Sequence, residues 1–350
     1  MKRLLNLFIV MFVTLFMTYI ANAAEDIFVK SCSTNQIIFS TGVKTNTFSQ
    51  AMQPLFMLVP DMFCERTDST GGDRNVELLL GMDGDAEAAI VPADVIEYKS
   101  RTNPEAKKLR SIISLWGNAL HIAVNVNGYT TPKYGGMGKD VHYIQEFKDL
   151  VGMPVAVFGS PKTSARVIDE RLKMHWDIVE VNSLKEGWDK LEKGEVKAFM
   201  VMGGWPIQYI QELDPKKFTL INVDPATITT LGSPYYTTKL NYPKIGVNGF
   251  NAITAKNEVM VRNYTTQRWV TKYIAMYHAF KDNLVDLQEM RGAHAAWKLI
   301  QDPKDMDTLI NPIYEPLKKV LDETATPVVT SVPSVETKDV KKTADTKKTK

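Results

Sequence analysis

Three loops of this sequence carry hydroxyl and glycine residues where an apolar run gives way to a helix-period segment. Ser40-Thr41-Gly42 follows the first such run, Asp68-Ser69-Thr70-Gly71-Gly72 the second, and Gly159-Ser160-Pro161-Lys162-Thr163-Ser164 a later one. A loop of this kind sets backbone N–H groups and hydroxyls at a helix N-terminus, where the helix dipole favours an anion. The chemistry on offer is recognition of a carboxylate or a phosphate. Any α/β fold uses Gly, Ser and Thr there for turns and N-caps, so it is the recurrence in three loops that points to a ligand. Covalent chemistry has less support. No G-x-S-x-G elbow occurs, and Gly135-Gly136-Met137-Gly138-Lys139-Asp140 lacks the early Gly and the Ser/Thr of a P-loop. The five histidines are scattered without metal-ligand spacing. No catalytic residue, metal ligand or cofactor is assigned, and an enzyme is not expected.

The elements that must position these loops are read from periodicity. Short apolar runs alternate with helix-period segments from Ile27 onward, the pattern of an α/β fold. Strands are expected at 37–40, 62–66, 87–91, 111–116, 120–126, 154–158, 178–181, 197–202, 218–222 and 250–254. Helices are expected near 48–59, 73–82, 93–100, 163–174, 183–193 and 205–213. The Gly- and Pro-rich stretch 127–143 breaks the alternation and reads as a crossing between two lobes. After Asn257 the pattern turns helical, with Val270, Ile274 and Tyr277 on one stripe. In an open α/β sheet a ligand sits outside the carboxyl ends of the strands.

Composition bounds the class. With 44% hydrophobic and 23% charged residues in 350, the chain is globular material, neither disordered nor a multi-span membrane protein. Residues 1–23 read as a cleavable signal peptide: Lys2-Arg3, an apolar run from Leu4 to Ile20, then Ala21-Asn22-Ala23. The run is shorter than the roughly 20 residues that a membrane span needs. A periplasmic protein is expected. Without that leader and the Lys-rich segment 324–350, the remainder holds 34 basic and 37 acidic side chains, which argues against a nucleic-acid surface. The segment 324–350 is expected to be a disordered tail. In an oxidising compartment Cys32 and Cys64, the only cysteines, are expected to form a disulfide.

A series of motifs then resembles a known family. Ser69-Thr70-Gly71-Gly72-Asp73-Arg74-Asn75-Val76-Glu77-Leu78-Leu79, Gly84-Asp85-Ala86-Glu87-Ala88-Ala89-Ile90-Val91 and Asp94 come first. Leu109-Arg110-Ser111-Ile112, Leu120-His121-Ile122-Ala123-Val124 and Phe147-Lys148-Asp149-Leu150-Val151-Gly152-Met153-Pro154 continue it. Gly194-Glu195-Val196-Lys197-Ala198-Phe199, Met202-Gly203-Gly204-Trp205-Pro206 and Pro234-Tyr235-Tyr236 complete it. Over residues 36–290 this order is similar to the solute-binding subunits of TRAP transporters of the TAXI family. The resemblance implies a two-lobed periplasmic-binding-protein fold with a ligand cleft between the lobes. Lobe one would comprise 24–124 and 250–323, and lobe two 125–249. The implied partners are a small organic anion or amino acid bearing a carboxylate, and the membrane subunits of a TRAP-type transporter.

On this reading Thr41, Gly42, Thr45, Ser69, Thr70, Gly71 and Gly72 contact the ligand from lobe one, and Lys162, Thr163, Ser164, Gly204 and Trp205 from lobe two. Several family features are altered. The first loop, Ser40 to Asn46, is not glycine-rich, Pro92-Ala93-Asp94 keeps only the acid of a Gln-Ser-Asp segment, and Lys162-Thr163-Ser164-Ala165 lacks the glycines of a Gly-Ser-Gly-Thr turn. These departures motivate a second function: a periplasmic accessory protein that keeps the scaffold with a lost or repurposed cleft. Its Lys-rich tail would be a contact for a protein partner.

Overall fold

The computed structural model describes residues 32–44, 46–81, 86–134, 138–159, 161–300 and 310–325. The expected signal peptide, and all of the expected tail beyond Ala325, lie outside the described residues.

The chain begins as alternating strands and helices. In order they are β1 (Ile37–Ser40), α1 (Thr47–Leu58), β2 (Phe63–Arg66), α2 (Gly72–Leu79), β3 (Ala88–Pro92) and α3 (Ala93–Thr102). There follow the long strand β4 (Arg110–Asn125) and a hairpin of β5 (Tyr129–Pro132) and β6 (Lys139–His142). The second alternating run is β7 (Pro154–Val157), α4 (Pro161–Leu172), β8 (Asp177–Glu180), α5 (Leu184–Glu192), β9 (Ala198–Gly203) and α6 (Gln208–Gln211). Then come β10 (Phe218–Leu220), α7 (Pro225–Leu231), β11 (Tyr235–Tyr242) and the second long strand, β12 (Val247–Val261). Helices α8 (Gln267–Asp282), α9 (Leu284–Glu289) and α10 (Glu315–Ala325) end the described chain.

The strands form one sheet of order β2-β1-β3-β12-β4-β9-β7-β8, with β10 added on β4 and β11 on β12. Pairing is parallel at both ends, where β1 lies between β2 and β3 and β7 between β8 and β9. It is antiparallel in the middle, where β12 and β4 run side by side. Buried parallel strands need apolar residues on both faces. Ile37–Ser40 and Ala88–Pro92 are buried at every position.

The core divides within the two long strands. One cluster joins β1, α1, Trp116, Val259 and α8, and another joins α2, α3, Val91 and Met260. The first uses β4 up to Trp116, and both use β12 from Val259. The remaining two clusters use β4 from Ala119 and β12 up to Ala255, together with β7, β9 and α4 in one and β9, α5 and β11 in the other. These are the two lobes, and β4 and β12 are the strands that connect them. The core thus divides between Trp116 and Ala119 and between Ala255 and Val259, several residues inside the boundaries expected at 124/125 and 249/250, because each long strand runs from one lobe's core into the other's.

Three local expectations are corrected. Residues 127–143 are not an irregular crossing, because Tyr129–Pro132 pairs with Lys139–His142. The strands expected at 111–116 and 120–126 are one strand, in which Gly117 pairs with Lys256 and Asn118 with Ala255, the irregular pairing lying just before them, between Ser111 and Gly117. Helix α10 runs to Ala325, two residues into the expected tail. Cys32 and Cys64 are disulfide-bonded with Cα atoms 5.8 Å apart, tying the entry of lobe one to β2.

Candidate functional site

A cavity of about 850 Å³ lies between the lobes. Lobe one contributes the start of α1 (Asn46, Thr47, Phe48), the start of α2 (Thr70, Gly71, Asp73, Arg74) and Tyr98-Lys99 of α3. Lobe two contributes the β7–α4 junction (Phe158, Gly159, Lys162, Thr163, Arg166), the end of β8 (Glu180, Val181) and the end of β9 (Val201, Met202, Gly203). Glu77 of α2, Asn118 of β4 and Tyr209 of α6 also line it. Apart from Tyr98-Lys99 and Asn118, the walls are mostly carboxyl ends of strands and the helix starts that follow them.

The lobes meet at two seams beside the cavity. In the first, α3 of lobe one packs on α4 of lobe two. Thr163 Oγ1 donates to Asp73 Oδ1 at 2.7 Å, Arg171 pairs with Glu97 at 2.5 Å, and Arg101 pairs with Glu170 at 3.3 Å. Asp94, fully buried, accepts from Tyr235 Oη at 3.1 Å and is also bonded by Ser164. Burial pushes its carboxyl above the usual carboxylate range, against those two hydrogen bonds. Ser164 Oγ also lies 3.1 Å from Met202 Sδ. In the second seam Gly203 and Gly204 allow close approach: a side chain on Gly203 would meet Thr47 Oγ1 at 3.2 Å, and one on Gly204 would meet Trp116 at 3.0 Å and Ala296 at 3.1 Å.

The charges on the walls are paired. Lys99 sits 3.3 Å from Asp73 and 3.1 Å from Glu77, and Arg74 lies 3.6 Å from Glu77. Burial works against the Lys99 ammonium, but the two carboxylates outweigh it and hold its pKa above the ordinary lysine value. Glu180 is shared by Lys162 at 2.6 Å and Arg166 at 3.3 Å. Four cations (Arg74, Lys99, Lys162, Arg166) face three carboxylates (Asp73, Glu77, Glu180), leaving one positive charge in surplus. That balance suits a ligand with net negative charge. Among the described residues no group of three or more His, Cys, Asp or Glu is placed to hold a metal.

Of the residues singled out in the sequence, Thr70, Gly71, Lys162 and Thr163 line the cavity. Gly71 adopts φ 127°, which a side chain would resist, and so turns the chain into α2. Others lie behind the wall with their hydroxyls engaged. Thr41 donates to Glu65 Oε1 at 2.7 Å, in company with Ser49 Oγ at 2.7 Å. Ser69 Oγ donates to the carbonyl of Gly71 and accepts from its N–H, each at 3.1 Å. Gly42 packs on the Asn46 side chain, Gly72 on Pro92 and Gly204 in the second seam. Trp205 packs into the core of lobe two, and Thr45 lies outside the described residues.

Sequence reading missed Arg74, Lys99, Asn118, Arg166, Glu180 and Tyr209. Arg74 and Arg166 stand within one turn of the glycine and hydroxyl loops, on the cavity-facing stripe of α2 and α4, and helical spacing from Thr70 and Thr163 is the signal for them. Asn118 is the polar interruption that divided one apolar run in two. Behind it, Ala119 and His121 brace the second seam: His121 Nδ1 donates to the Ala119 carbonyl at 2.9 Å, and Nε2 accepts from Tyr242 Oη at 2.7 Å. Tyr242 Oη in turn accepts from the Ile207 N–H at 3.0 Å, holding the turn after Gly204. Burial lowers the His121 pKa to about 4, so the ring is neutral.

Among solved structures, the chain is similar to the substrate binding protein of an amino acid ABC transporter (13% identity, 76% of this chain and 97% of that one, TM-score 0.43). It is similar to an arginine transport system periplasmic binding protein from Legionella pneumophila (13%, 72% and 97%, TM-score 0.41). It is also similar to a Xanthomonas citri protein bound to chloride ion (10%, 83% and 100%, TM-score 0.45). No curated protein matches the sequence. The family model described as the NMT1-like family matches residues 56–324, all of lobe two and most of lobe one, and the chain belongs to that family.

Proposed function

We propose that this chain is an exported solute-binding protein that holds a small carboxylate-bearing molecule between its lobes and delivers it to the membrane subunits of a TRAP-type transporter. The observation that carries the reading is the 850 Å³ cavity whose walls come from both lobes and hold one more cation than carboxylate. A pocket of this size suits a small organic molecule. The anion would lie against Lys162, Arg166 and Arg74, where charge-assisted hydrogen bonds are stronger than neutral ones. Thr70, Gly71 and Thr163 would complete the set, and Thr41, Ser69 and Ser164 would hold the loops in shape from behind. Contacts from both lobes form together only when the lobes are closed, so the ligand would shift the population towards closure. The TRAP-type partner rests on the motif series alone, and export rests on the leader.

Native mass spectrometry of the exported protein tests this. The expected result is a chain beginning at Ala24 with a small acid copurifying. A chain that carries no small molecule, binds none of a panel of carboxylates and instead retains a periplasmic protein would replace the reading with the accessory one.

A further inference from the structure

The cavity is two different halves joined at its floor. The first seam joins the α2–α3 cluster of lobe one to the α4 cluster of lobe two, and the charged wall residues Asp73, Glu77, Lys99 and Arg166 stand on those helices. The second seam joins the α1 cluster to the α5–β11 cluster. From those two come Phe48 on one side and Phe158, Val181, Val201 and Tyr209 on the other. The first half therefore carries most of the charge, among Tyr98, Val157 and Met202, and the second is an apolar, aromatic wall edged by Glu180 beside Val181.

Size adds a constraint. The lobes already touch on both sides of the cavity, through Thr163 and Asp73 at one seam and through Thr47 beside Gly203 at the other. The 850 Å³ thus lies in a cleft with contacts on both sides, and a four-carbon diacid would leave the apolar half unfilled.

The floor supplies the third feature. Asn118 lies on β4 between Trp116 of one lobe and Ala119 of the other, lines the cavity, and is 1% exposed. Its Oδ1 has no hydrogen-bond partner. A buried acceptor without a donor is costly, and a ligand O–H or N–H would relieve it.

Resting on the solute-binding reading, the geometry points to an amphipathic hydroxy- or amino-acid as the ligand. Its anionic group lies at the charged seam, its apolar body lies between Phe48 and the Phe158–Tyr209 wall, and its hydroxyl or amino group donates to Asn118 Oδ1.

Three probes separate these elements in calorimetry on the mature protein: 3-phenyllactate has all three, 3-phenylpropionate lacks the hydroxyl, and malate lacks the apolar body. The expected order is 3-phenyllactate tightest, 3-phenylpropionate about tenfold weaker and malate about a hundredfold weaker. Asn118→Leu should bring the first two probes within about twofold of each other. Phe158→Ser, at a partly exposed wall position, should weaken 3-phenyllactate about tenfold and leave malate unchanged. Malate binding as tightly as 3-phenyllactate overturns the inference, as does equal binding of the two phenyl acids by the unaltered protein. If none of the probes binds while a small acid still copurifies, the amphipathic class is wrong and the solute-binding reading stands. If none binds and none copurifies, both fall.

Discussion

The two lobes share a loop composition but divide its hydroxyls differently, lobe one setting Thr41 and Ser69 behind the wall with only Thr70 on it. In lobe one, the hydroxyls of Thr41 and Ser69 turn inward, to Glu65 and to the Gly71 backbone, and shape the loop. In lobe two, Lys162 and Thr163 at the start of α4 stand on the cavity wall, and Thr163 reaches across it to Asp73. A Gly/Ser/Thr junction after a strand is thus a statement about backbone geometry. Whether its hydroxyls meet a ligand depends on where the nearest acceptor lies: half-buried Glu65 holds Thr41 behind the wall, and Asp73 holds Thr163 on it.

Lobe one should accordingly lose most when its internal ties are cut. Replacing Cys32 and Cys64 together by Ser opens a loop with a sequence separation of 32 and is expected to cost about 3 to 4 kcal/mol in urea unfolding. The same unfolding experiment on a protein reduced without mutation should give the same loss. Retained stability would show that the crosslink leaves lobe one unaffected.

Two buried groups, one in each lobe, titrate with opposite signs. His121 in lobe two has its pKa lowered from 6.5 to about 4 by burial, so the unfolded chain binds the extra proton between those values and stability is lost as pH falls through them. Glu258, on the lobe-one half of β12, accepts from Ser111 Oγ at 2.5 Å and the Ile310 N–H at 3.1 Å, and burial raises its pKa from 4.5 to about 7. The folded state then holds the extra proton, and that stability is lost as pH rises from 4.5 to 7. At about 1.4 kcal/mol per pKa unit each contributes about 3 kcal/mol, and they nearly cancel between pH 4.5 and 6.5. Glu258→Gln should expose the His121 slope, with stability falling by about 3 kcal/mol on acidification from pH 6.5 to 4. His121→Asn should show the reverse dependence. Parallel pH profiles for both variants would contradict the assignment of one group to each lobe.

Smaller effects separate the loop hydroxyls. Thr41→Val removes a bond to a carboxylate and is expected to cost about 2 kcal/mol of stability. Thr163→Val removes a bond between lobes and should change unfolding by less than about 1 kcal/mol while widening the distance distribution between spin labels on the two lobes. The comparison fails if Thr163→Val destabilises the fold as much as Thr41→Val does.

Much of the scaffold was legible because its strands are short apolar runs closed by glycine or small polar residues, as at 37–40, 154–157 and 198–203. β11 was not, because Tyr235–Tyr242 alternates Tyr, Thr, Lys and Asn behind Ser233-Pro234 and reads as a loop until β12 pairs with it. Gly117 and Asn118 hid the continuity of β4 for a related reason: their local preference for a break is overruled by pairing with β12. At the site, helix starts were legible and partners were not. Glu65 stands 24 residues from Thr41, Glu180 18 from Lys162 and Asp73 90 from Thr163, and no local pattern carries such contacts.

The central claim, that an anion lies between the lobes against the start of α4, is tested most directly by titrating a carboxylate panel into the mature protein and its Lys162→Met/Arg166→Met variant. Both side chains are partly exposed and their partner Glu180 is half exposed, so the variant should fold. The account predicts binding by the unaltered protein that weakens at least about tenfold in the variant, the loss of roughly one charge-assisted bond. Equal affinity in the two proteins would contradict it.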